Sequence, residues 1–497
     1  MSAQEIATTP MNSETEFDSG LDSAVRWRVL FVLLVAMFMS LVGVSIVNVA
    51  LPSIRLSLDT SHSEIQWVLS GYALTFGVVL VAAGRAGDIL GRGGLFLIGV
   101  AIFTLSSVAA GLAPSGDWLI AARFLQGVGS GLLSPQGMGM IQQYFRGAER
   151  GKAFGYFGTT VGLSVAIGPV MGGLLIKLGG MDLGWRLTFL VNVPIGLMTF
   201  ILGWRWFPRP LIRRTVAQRH FGAPWWYMLD PVGSLLLALA VLAILFPFVE
   251  SGRSAWFWVL LFVGFYLVYA WVRWEQRYKR QGHSPMVDLS LFVTPSFRNG
   301  VVIMTLYFFG MTSIWVLVAL YVQEGHGWSA FLSGLVGVPS ALISAYSAHW
   351  AGDRVARMGR KIVIGGLAIA LLGLAMTIAV VILNTTHGLS VWWLLLTLGV
   401  FGIGQGATIS PNQALTLSEV PLEYAGSSGA ILQTGQRMGT SVGIALITAA
   451  VFFSLSHYDW TVSMVVGLLI IATVITIALW VAVQDLKGRE KTGLSNL

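Results

Sequence analysis

The chain has 497 residues, of which 55% are hydrophobic and only 10% are charged. A soluble domain carries about 25% charged residues because its surface faces water, so this composition excludes an ordinary soluble protein and favours one surrounded by lipid. The formal net charge of +8 would suit a nucleic-acid-binding protein, but basic loops beside membrane spans produce the same excess. The absence of cysteine excludes disulfides, thiolate metal sites and a cysteine nucleophile.

Apolar stretches of about 20 residues, long enough to cross a hydrocarbon core about 30 Å thick, recur along the chain. The predicted spans are 28–50, 66–84, 94–113, 117–138, 152–177, 184–206, 231–250, 254–274, 299–322, 328–350, 361–383, 390–416, 424–453 and 460–483. The predicted fold class is an all-α polytopic membrane protein with about fourteen transmembrane helices. Twelve is the alternative if the middle pair does not span.

The basic residues are distributed unevenly between the two sides of these spans. Twenty-four of the 30 Lys and Arg residues fall on the side of the N-terminus, whereas Arg55, Lys177, Arg186 and Arg253 fall on the other side. Since cytoplasmic loops carry the excess of Lys and Arg, both termini are predicted to be cytoplasmic in a multi-pass protein of the cell membrane. The basic charge is thereby explained, and nucleic acid is excluded as a partner.

Two motifs recur in the second part of the chain. Residues 86–88 and 91–92 read AGD and GR, and the same letters return at 351–353 and 359–360. Residues 127–135 and 402–411 share a GxGxG run followed by Ser-Pro. This pairs the second span with the tenth and the fourth with the twelfth, as expected of parallel six-helix repeats that place a substrate site between them near the midplane.

The repeat predicts the domain organisation of the chain. Two six-helix halves are separated by two extra transmembrane helices with cytoplasmic linkers, and polar tails flank them. The predicted boundaries are 1–25 for a disordered cytoplasmic tail, 26–206 for the N-terminal half, 207–298 for the two extra helices, 299–483 for the C-terminal half and 484–497 for the second cytoplasmic tail.

Several segments carry a resemblance to a known family. Residues 84–92 read GRAGDILGR, residues 123–127 read RFLQG, residues 162–173 include GPVMGG, and residues 45–52 read SIVNVALP. Trp185 and Arg186, followed by Phe189, Asn192, Pro194 and Gly196, belong to the same pattern. With them the chain resembles the major facilitator superfamily, specifically its fourteen-helix drug:proton antiporter branch.

The resemblance implies a function. It implies a secondary active transporter that exports hydrophobic or amphipathic small molecules by alternating access, with the proton as coupling ion. One position departs from the branch, which commonly has an acidic residue two positions before the hydroxyl residue of the helix-1 signature. Here that position is Gly43, so a carboxylate tied to proton coupling is missing.

The loop after the second span contains the candidate gating residues, and its repeat adds two more. They are Gly84, Gly87, Asp88, Gly91 and Arg92, with Asp353 and Arg360 as their echo. Glycines permit a close backbone approach, and the charges can pair with neighbouring helix ends to hold one conformation shut. The alternative is a basic inner loop with turn glycines and no gating role.

In the fifth span, small residues recur at three- and four-residue steps and would face another helix closely. The exporter motif implied by the resemblance comprises Gly162, Gly168, Pro169, Gly172 and Gly173. The proline predicts a kink that neighbouring helices can satisfy. Helix packing alone and a hinge or seal between the halves both explain this pattern.

Two arginines fall inside predicted spans. A charge at the bilayer centre costs at least about 2.5–3.5 kcal/mol and normally faces a bundle interior or a wet cavity. The candidate substrate-binding residues are Arg123 with Gln126, Arg437 with Gln433, and Asn48. Two interior arginines with few interior acids would also favour an anionic substrate, such as an organic acid or an acidic lipid. The alternative for each arginine is that it only pins backbone carbonyls.

Acidic residues are expected only in tails, loops and span ends, Asp230 among them. Arginine does not release its proton at working pH, so a proton relay needs another group. Glu250 and Glu324, near outer span ends, are the coupling candidates, although each also fits a solvated loop residue. His349 is a further candidate near an inner span end.

Other classes of function are not supported by the sequence. The spans contain no cluster of His, Asp or Glu that a membrane enzyme or a metal site would need, and no P-loop is present. No cofactor or metal is therefore expected, and no enzyme activity. The expected partners are a small-molecule substrate, the proton and the lipid bilayer, and the protein is expected to be a monomer.

Overall fold

The computed structural model describes residues 21–212, 230–249, 255–283 and 285–491. Within these ranges fourteen α-helices follow one another along the chain, and the other regular elements are short helical turns. The α-helices are α1 (Ser23–Ser57), α2 (His62–Leu90), α3 (Arg92–Gly111), α4 (Gly116–Tyr144), α5 (Gly147–Leu190), α6 (Asn192–Trp206), α7 (Pro231–Val249), α8 (Val259–Arg280), α9 (Pro295–Leu320), α10 (Ala330–Met358), α11 (Arg360–His387), α12 (Leu394–Thr416), α13 (Ala425–Leu455) and α14 (Trp460–Lys491).

Most of these helices are long and apolar enough to cross a membrane. Eleven segments of the described chain qualify, and one of them, Gly147–Trp206, has 60 residues and covers two predicted spans. Helices α4 and α10 are long but less apolar, because they keep polar residues such as Gln126 and Ser340 inside the bundle rather than facing lipid. The structure is therefore compatible with the predicted fourteen spans.

The break between the fifth and sixth predicted spans lies inside α5. Gly180 has φ 69° and ψ −165°, a conformation that residues with a Cβ avoid. The ten residues after it begin the sixth span, which α6 continues. This explains why one continuous helical segment carries two predicted spans, 152–177 and 184–206.

The helix contacts repeat between the two parts of the chain. In the N-terminal half (α1–α6), α1 packs on α5 and α6, α4 packs on α2 and α3, and α3 packs on α6. In the C-terminal half (α9–α14), α9 packs on α13 and α14, α12 packs on α10 and α11, and α11 packs on α14. Each contact has its counterpart eight helices later, which confirms two six-helix halves of parallel topology.

Two seams join the halves, and the inserted helices cover one of them. Helix α2 meets α13 along one seam, and α5 meets α10 along the other. Helix α7 packs on both α2 and α13, where Val241 and Leu245 lie in one apolar cluster with Leu74. The inserted pair α7–α8 is therefore attached at the α2–α13 seam.

Both ends of the described chain lie at the same end of the bundle. Arg26, at the start of α1, forms an ion pair of 2.7 Å with Glu149 at the start of α5. Asp485, near the end of α14, forms one of 2.6 Å with Arg360 at the start of α11. We call this the basic end; it holds the connections 90–92, 144–147, 358–360 and 416–425. Helix α14 ends at Lys491, beyond the predicted boundary at residue 483.

Candidate functional site

The last turn of α2 clamps the two halves together at the basic end. The side chain of Asp88 is 1% exposed and accepts hydrogen bonds from the backbone N–H groups of Gly426 (2.7 Å) and Ser427 (2.9 Å). The hydroxyl of Ser427 donates a third bond, of 3.0 Å. The first N–H groups of a helix lack partners inside the helix and attract negative charge. Asp88 of one half therefore caps α13 of the other.

Arg92 extends this clamp. Its Nη2 lies 2.7 Å from Oδ1 of Asp88 and also donates to the carbonyl of Leu422 at 2.7 Å. Its Nη1 donates to Gln143 at 2.6 Å. The guanidinium thus orients the Asp88 carboxylate and itself reaches the chain that leads into α13.

The glycines of this loop allow the close approach. A Cβ on Gly84 would lie 2.6 Å from the carbonyl oxygen of Gly426, and one on Gly87 would collide with Gln136. Gly91 ends α2 with φ 110°, in the region that favours glycine. Of the predicted gating residues, Gly84, Asp88 and Arg92 therefore contact the other half directly, whereas Gly87 packs on α4 of its own half and Gly91 ends α2 beside them.

The second seam closes at the same level mainly through backbone contacts, beside a bond of 3.4 Å from Arg150 Nη1 to the carbonyl of Ser418 in the other half. A Cβ on Gly352 of α10 would lie 2.6 Å from the carbonyl oxygen of Gly151 of α5. Two turns further along, Thr159 Oγ1 donates to the carbonyl of Ala345 at 2.9 Å. Backbone contacts this close require small residues on both helices.

Asp353 and Arg360, which repeat the motif in the C-terminal half, make different contacts from Asp88 and Arg92. The Asp353 side chain is 34% exposed, and its ion pair is with His349 of the same helix, at 3.9 Å. Arg360 is buried, donates from Nε to Asp485 and from Nη1 to Asn412, and so connects α11, α12 and α14 within one half. The structure therefore does not bring Asp353 and Arg360 to the inter-half clamp.

The predicted helix-5 motif serves two different contacts. Gly162 faces Ala341 and Ala345 of α10, across the α5–α10 seam. Gly168 and Gly172 instead face α1 inside the N-terminal half, whereas a Cβ on Gly173 would meet nothing within 4 Å. Pro169 lies inside α5 between these contacts. Only the first glycine of the motif thus belongs to the seam between the halves.

Arg123 is satisfied entirely within the N-terminal half. It is 1% exposed, donates from Nε to the carbonyl of Val68 (2.8 Å) and from Nη1 to Gln126 (2.7 Å), and stacks over Tyr72 at 4.4 Å. Gln126 in turn donates to Ser107 at 2.7 Å. This geometry matches the interpretation in which Arg123 pins a backbone carbonyl.

Arg437 is positioned differently from Arg123. Its guanidinium carbon lies 4.4 Å from the ring centroid of Phe76, across the α2–α13 seam. In the described part of the chain it makes no hydrogen bond and no ion pair. One turn earlier, Gln433 accepts a bond of 2.7 Å from Ser134 of α4, while its Nε2 and that of Gln436 have no partner. Arg437 and Gln433 of α13 therefore face the N-terminal half with N–H groups that have no hydrogen-bond partner in the described residues.

Two predicted coupling candidates gain no support. Glu324 is exposed in the helical turn Tyr321–Gly325, and Glu250 lies outside the described residues. Asn48 is exposed on α1.

The prediction that acidic residues stand only in tails, loops and span ends holds for Asp230 and Glu275 but is wrong for Asp485, which lies inside α14 rather than in a tail. Asp485 and Glu275 lie inside helices, and Asp485, Glu275 and Asp230 are 3%, 1% and 1% exposed. Asp485 and Glu275 stand just outside predicted spans among basic residues that resemble a loop or tail, whereas Asp230 stands at a predicted span end; none of these positions indicates burial. The basic stretches 273–280 and 487–491 are the signal that a helix continues there.

Comparison with known proteins places this arrangement in a family. Residues 33–444 match the Major Facilitator Superfamily. A probable actinorhodin transporter of Streptomyces coelicolor is 34% identical over 444 residues, 88% of this chain and 75% of the relative. The tetracenomycin C resistance and export protein of Streptomyces glaucescens is 31% identical over 85% of this chain and 75% of its own length. The multidrug resistance protein Stp of Mycobacterium tuberculosis is 29% identical over 83% and 73%.

Solved structures share the fold at low sequence identity. The human organic anion transporter MFSD10 aligns with a TM-score of 0.64 at 13% identity, over 92% of this chain and 99% of that one. The proton:xylose symporter XylE aligns with a TM-score of 0.63 at 14% identity, over 93% and 95%. The match covers most of the chain, and the two paired six-helix halves agree with it. This chain is a membrane transporter of the major facilitator superfamily, with drug and antibiotic exporters among its relatives.

Proposed function

We propose that the protein exports hydrophobic or amphipathic small molecules across the cell membrane by alternating access, with protons as the coupling ion. Several relatives are exporters or resistance proteins for drugs and antibiotics. In this proposal the monomer works alone, the basic end faces the cytoplasm in accordance with the excess of Lys and Arg there, and both termini are cytoplasmic.

The observation that carries the proposal is the position of the contacts between the halves. The hydrogen bonds described above lie between the basic end and the level of Ser134, Thr159 and Gln433. Beyond that level, the Nε2 of Gln436 and the guanidinium of Arg437 on α13 have no hydrogen-bond partner in the described residues, whereas Thr440 contacts Thr312 of its own half. A transporter closed at one end, with unused polar groups above the closure, has the arrangement that alternating access requires.

The proposed moving parts are the two halves as the structure bounds them. We take residues 26–206 and 295–491 as the two rocking halves, and the inserted helices between them as an attachment to the first seam. The seam contacts of Asp88 with α13 and of Gly151 with Gly352 would have to separate for the basic end to open.

Transport in everted membrane vesicles tests the proposal. A lipophilic dye should accumulate in vesicles that contain the protein, and collapse of the pH gradient should abolish the accumulation. Accumulation that is indifferent to the pH gradient would remove the proton from the proposal. Absence of any accumulation across cationic, neutral and anionic dyes would contradict export of this class.

Arg437 favours a second candidate function, the export of anionic compounds. A guanidinium that stacks on Phe76 and has no acidic partner in the described residues can form a charge-assisted hydrogen bond with a carboxylate of the substrate. The variant Arg437→Gln should then lose transport of anionic probes and retain that of neutral ones. Arg437→Lys is the control for charge alone. Unchanged transport of every anionic probe in Arg437→Gln would exclude this candidate.

A further inference from the structure

The inserted helices hold two carboxyl groups that none of the contacts above uses. Asp230 precedes α7 and Glu275 lies near the end of α8; each is 1% exposed. The Asp230 carboxylate accepts a bond of 2.9 Å from the backbone N–H of Gly233 and one of 2.9 Å from the indole N–H of Trp274. It is therefore fixed in place by the hairpin itself.

Both carboxyl groups border the same small space. A Cβ added to Gly233 would collide with Asp230 Oδ2 and would lie 3.0 Å from Glu275 Oε1. Glu275 Oε2 accepts a bond of 3.1 Å from the backbone N–H of Met286, but its Oε1 has no hydrogen-bond partner in the described residues. The indole nitrogen of Trp271, one turn earlier on α8, lies beside the same carboxyl group but outside hydrogen-bond geometry. An unpartnered, buried acidic oxygen thus faces a second acid.

The charged groups around this pair are committed to other partners. Lys279 of α8 binds Asp288 with distances of 2.7 and 2.8 Å. The hydroxyl of Tyr424, which leads into α13, donates to the same carboxylate at 3.3 Å. Arg85 of α2 lies over the Tyr424 ring at 5.9 Å. Asp230 and Glu275 have no ion pair within the described chain.

Asp288 shows the contrast with an acid that has a cation. Burial disfavours its charge, but the Lys279 and Ser290 hydrogen bonds outweigh burial and lower the pKa of Asp288. Asp230 and Glu275 also accept hydrogen bonds, but neither has a cation as an ion-pair partner in the described residues. Two buried anions without a cation are costly, and one proton taken up by the pair removes a charge from it.

The pair is linked to the seam by the segment that follows α8. Met286, whose N–H is held by Glu275, packs with Val287 against Phe76 and Leu80 of α2 and Ala430 of α13. Phe76 is also the ring on which Arg437 stacks. A change of charge at Glu275 therefore acts on the residues that join α2 to α13.

We propose that Asp230 and Glu275 form a proton-binding site, in which Glu275 Oε1 takes up a proton from water and the α2–α13 seam responds through Met286. The site would supply the protonatable carboxylate that Gly43 does not. This inference rests on the proposed function for its role in transport, but the binding of a proton can be measured without any substrate.

The first test is the infrared difference spectrum of the full-length protein in liposomes between acidic and alkaline pH. The wild-type protein should show the carbonyl band of a protonated buried carboxyl group, and Glu275→Gln should lose that band. Glu149→Gln, at the same end but partly exposed, should keep it. A band that persists in Glu275→Gln would overturn the site.

A second variant, Asp230→Asn, tests the site even if Glu275→Gln does not fold. Asp230→Asn should keep the band but move its titration to lower pH, since the neighbouring negative charge no longer favours the protonated form. A titration unaffected by Asp230→Asn would show that the two groups do not interact and would contradict the proposed pair.

The transport test separates this inference from the proposed function. In proteoliposomes with ethidium as the probe, Glu275→Gln should lose movement driven by the pH gradient but keep exchange of ethidium across the membrane. Full gradient-driven movement in Glu275→Gln would overturn the inference. No response of the wild-type protein to the gradient would contradict proton coupling, and the infrared result alone would then decide the site.

Discussion

The loops α2–α3 and α10–α11 have the same motif but different partners. Asp88 and Arg92 join the two halves, whereas Asp353 remains on its own helix and Arg360 is locked to Asp485 within the C-terminal half. The difference follows from the helix that each loop faces. The first turn of α13 has no acidic residue, whereas that of α5 already has Glu149. A helix N-terminus without its own acid accepts one from a neighbour.

The largest effect on this comparison is expected from Asp485→Ala. Removing one partner of a buried ion pair leaves Arg360 uncompensated, which destabilises a protein by about 3–5 kcal/mol. Chemical or thermal unfolding in detergent should show this loss. The control Glu419→Ala removes a partly exposed partner of Arg489 and should cost less than about 1 kcal/mol. Equal losses of stability in the two variants would mean that the Arg360–Asp485 ion pair contributes no more than a surface pair.

Asp88→Asn is expected to act on conformation rather than on folding. The variant keeps the shape of the side chain but loses charge-assisted bonds, each of which contributes about 1.5–3 kcal/mol. The ratio of closed to open states at the basic end should therefore fall about tenfold or more. The chain has no cysteine, so spin labels at Lys152→Cys and Arg357→Cys can report the distance between α5 and α10. An unchanged distance distribution would show that Asp88 is not a clamp.

Gly84→Ala should weaken the same seam by steric contact alone. The added methyl group would lie 2.6 Å from the carbonyl oxygen of Gly426, and such overpacking costs about 1–3 kcal/mol. The label distance should lengthen as in Asp88→Asn. Gly365→Ala in α11 is the matched control, since its methyl group would meet nothing within 4 Å. A shift of similar size in both variants would indicate a general helix effect.

Asp353→Asn should have the smallest effect. Its side chain is 34% exposed and has only a distant histidine as an ion-pair partner, so the change in stability should remain within about 0.5 kcal/mol. The label distance should not move. An increase in the label distance as large as that in Asp88→Asn would show that Asp353 also gates the protein. The difference proposed between the two loops would then be wrong.

Most of the fold could be predicted from the sequence because each span must satisfy its own backbone bonds in lipid. Apolar length located the helices, and the recurrence of AGD and GR paired them into halves. The ends were harder to predict. Residues 484–491 resemble a tail because they are rich in charged residues. Asp485 can be buried only because Arg360, which is far away along the chain, pairs with it.

The site was predictable only in part. Asp88 and Arg92 stand out by their spacing, but whether such a pair crosses to the other half depends on which helix terminus lies opposite. Arg123 and Arg437 look alike in sequence; their difference lies in Val68 and Phe76, partners that are far away along the chain. Nearness to a span favours Glu250 and Glu324 as coupling candidates, but it does not indicate which acids an inserted hairpin buries.

Because α7 and α8 attach at only one of the two seams, the molecule is asymmetric in the plane of the bilayer. On one flank, α8 presents Phe262, Phe265 and Tyr269 as exposed side chains. On the other flank, among the described residues, α10 leaves Leu342, Ile343 and Tyr346 exposed beside α5. Neighbouring lipids therefore touch the junction of the halves directly along one side of the molecule, and reach only the inserted pair along the other.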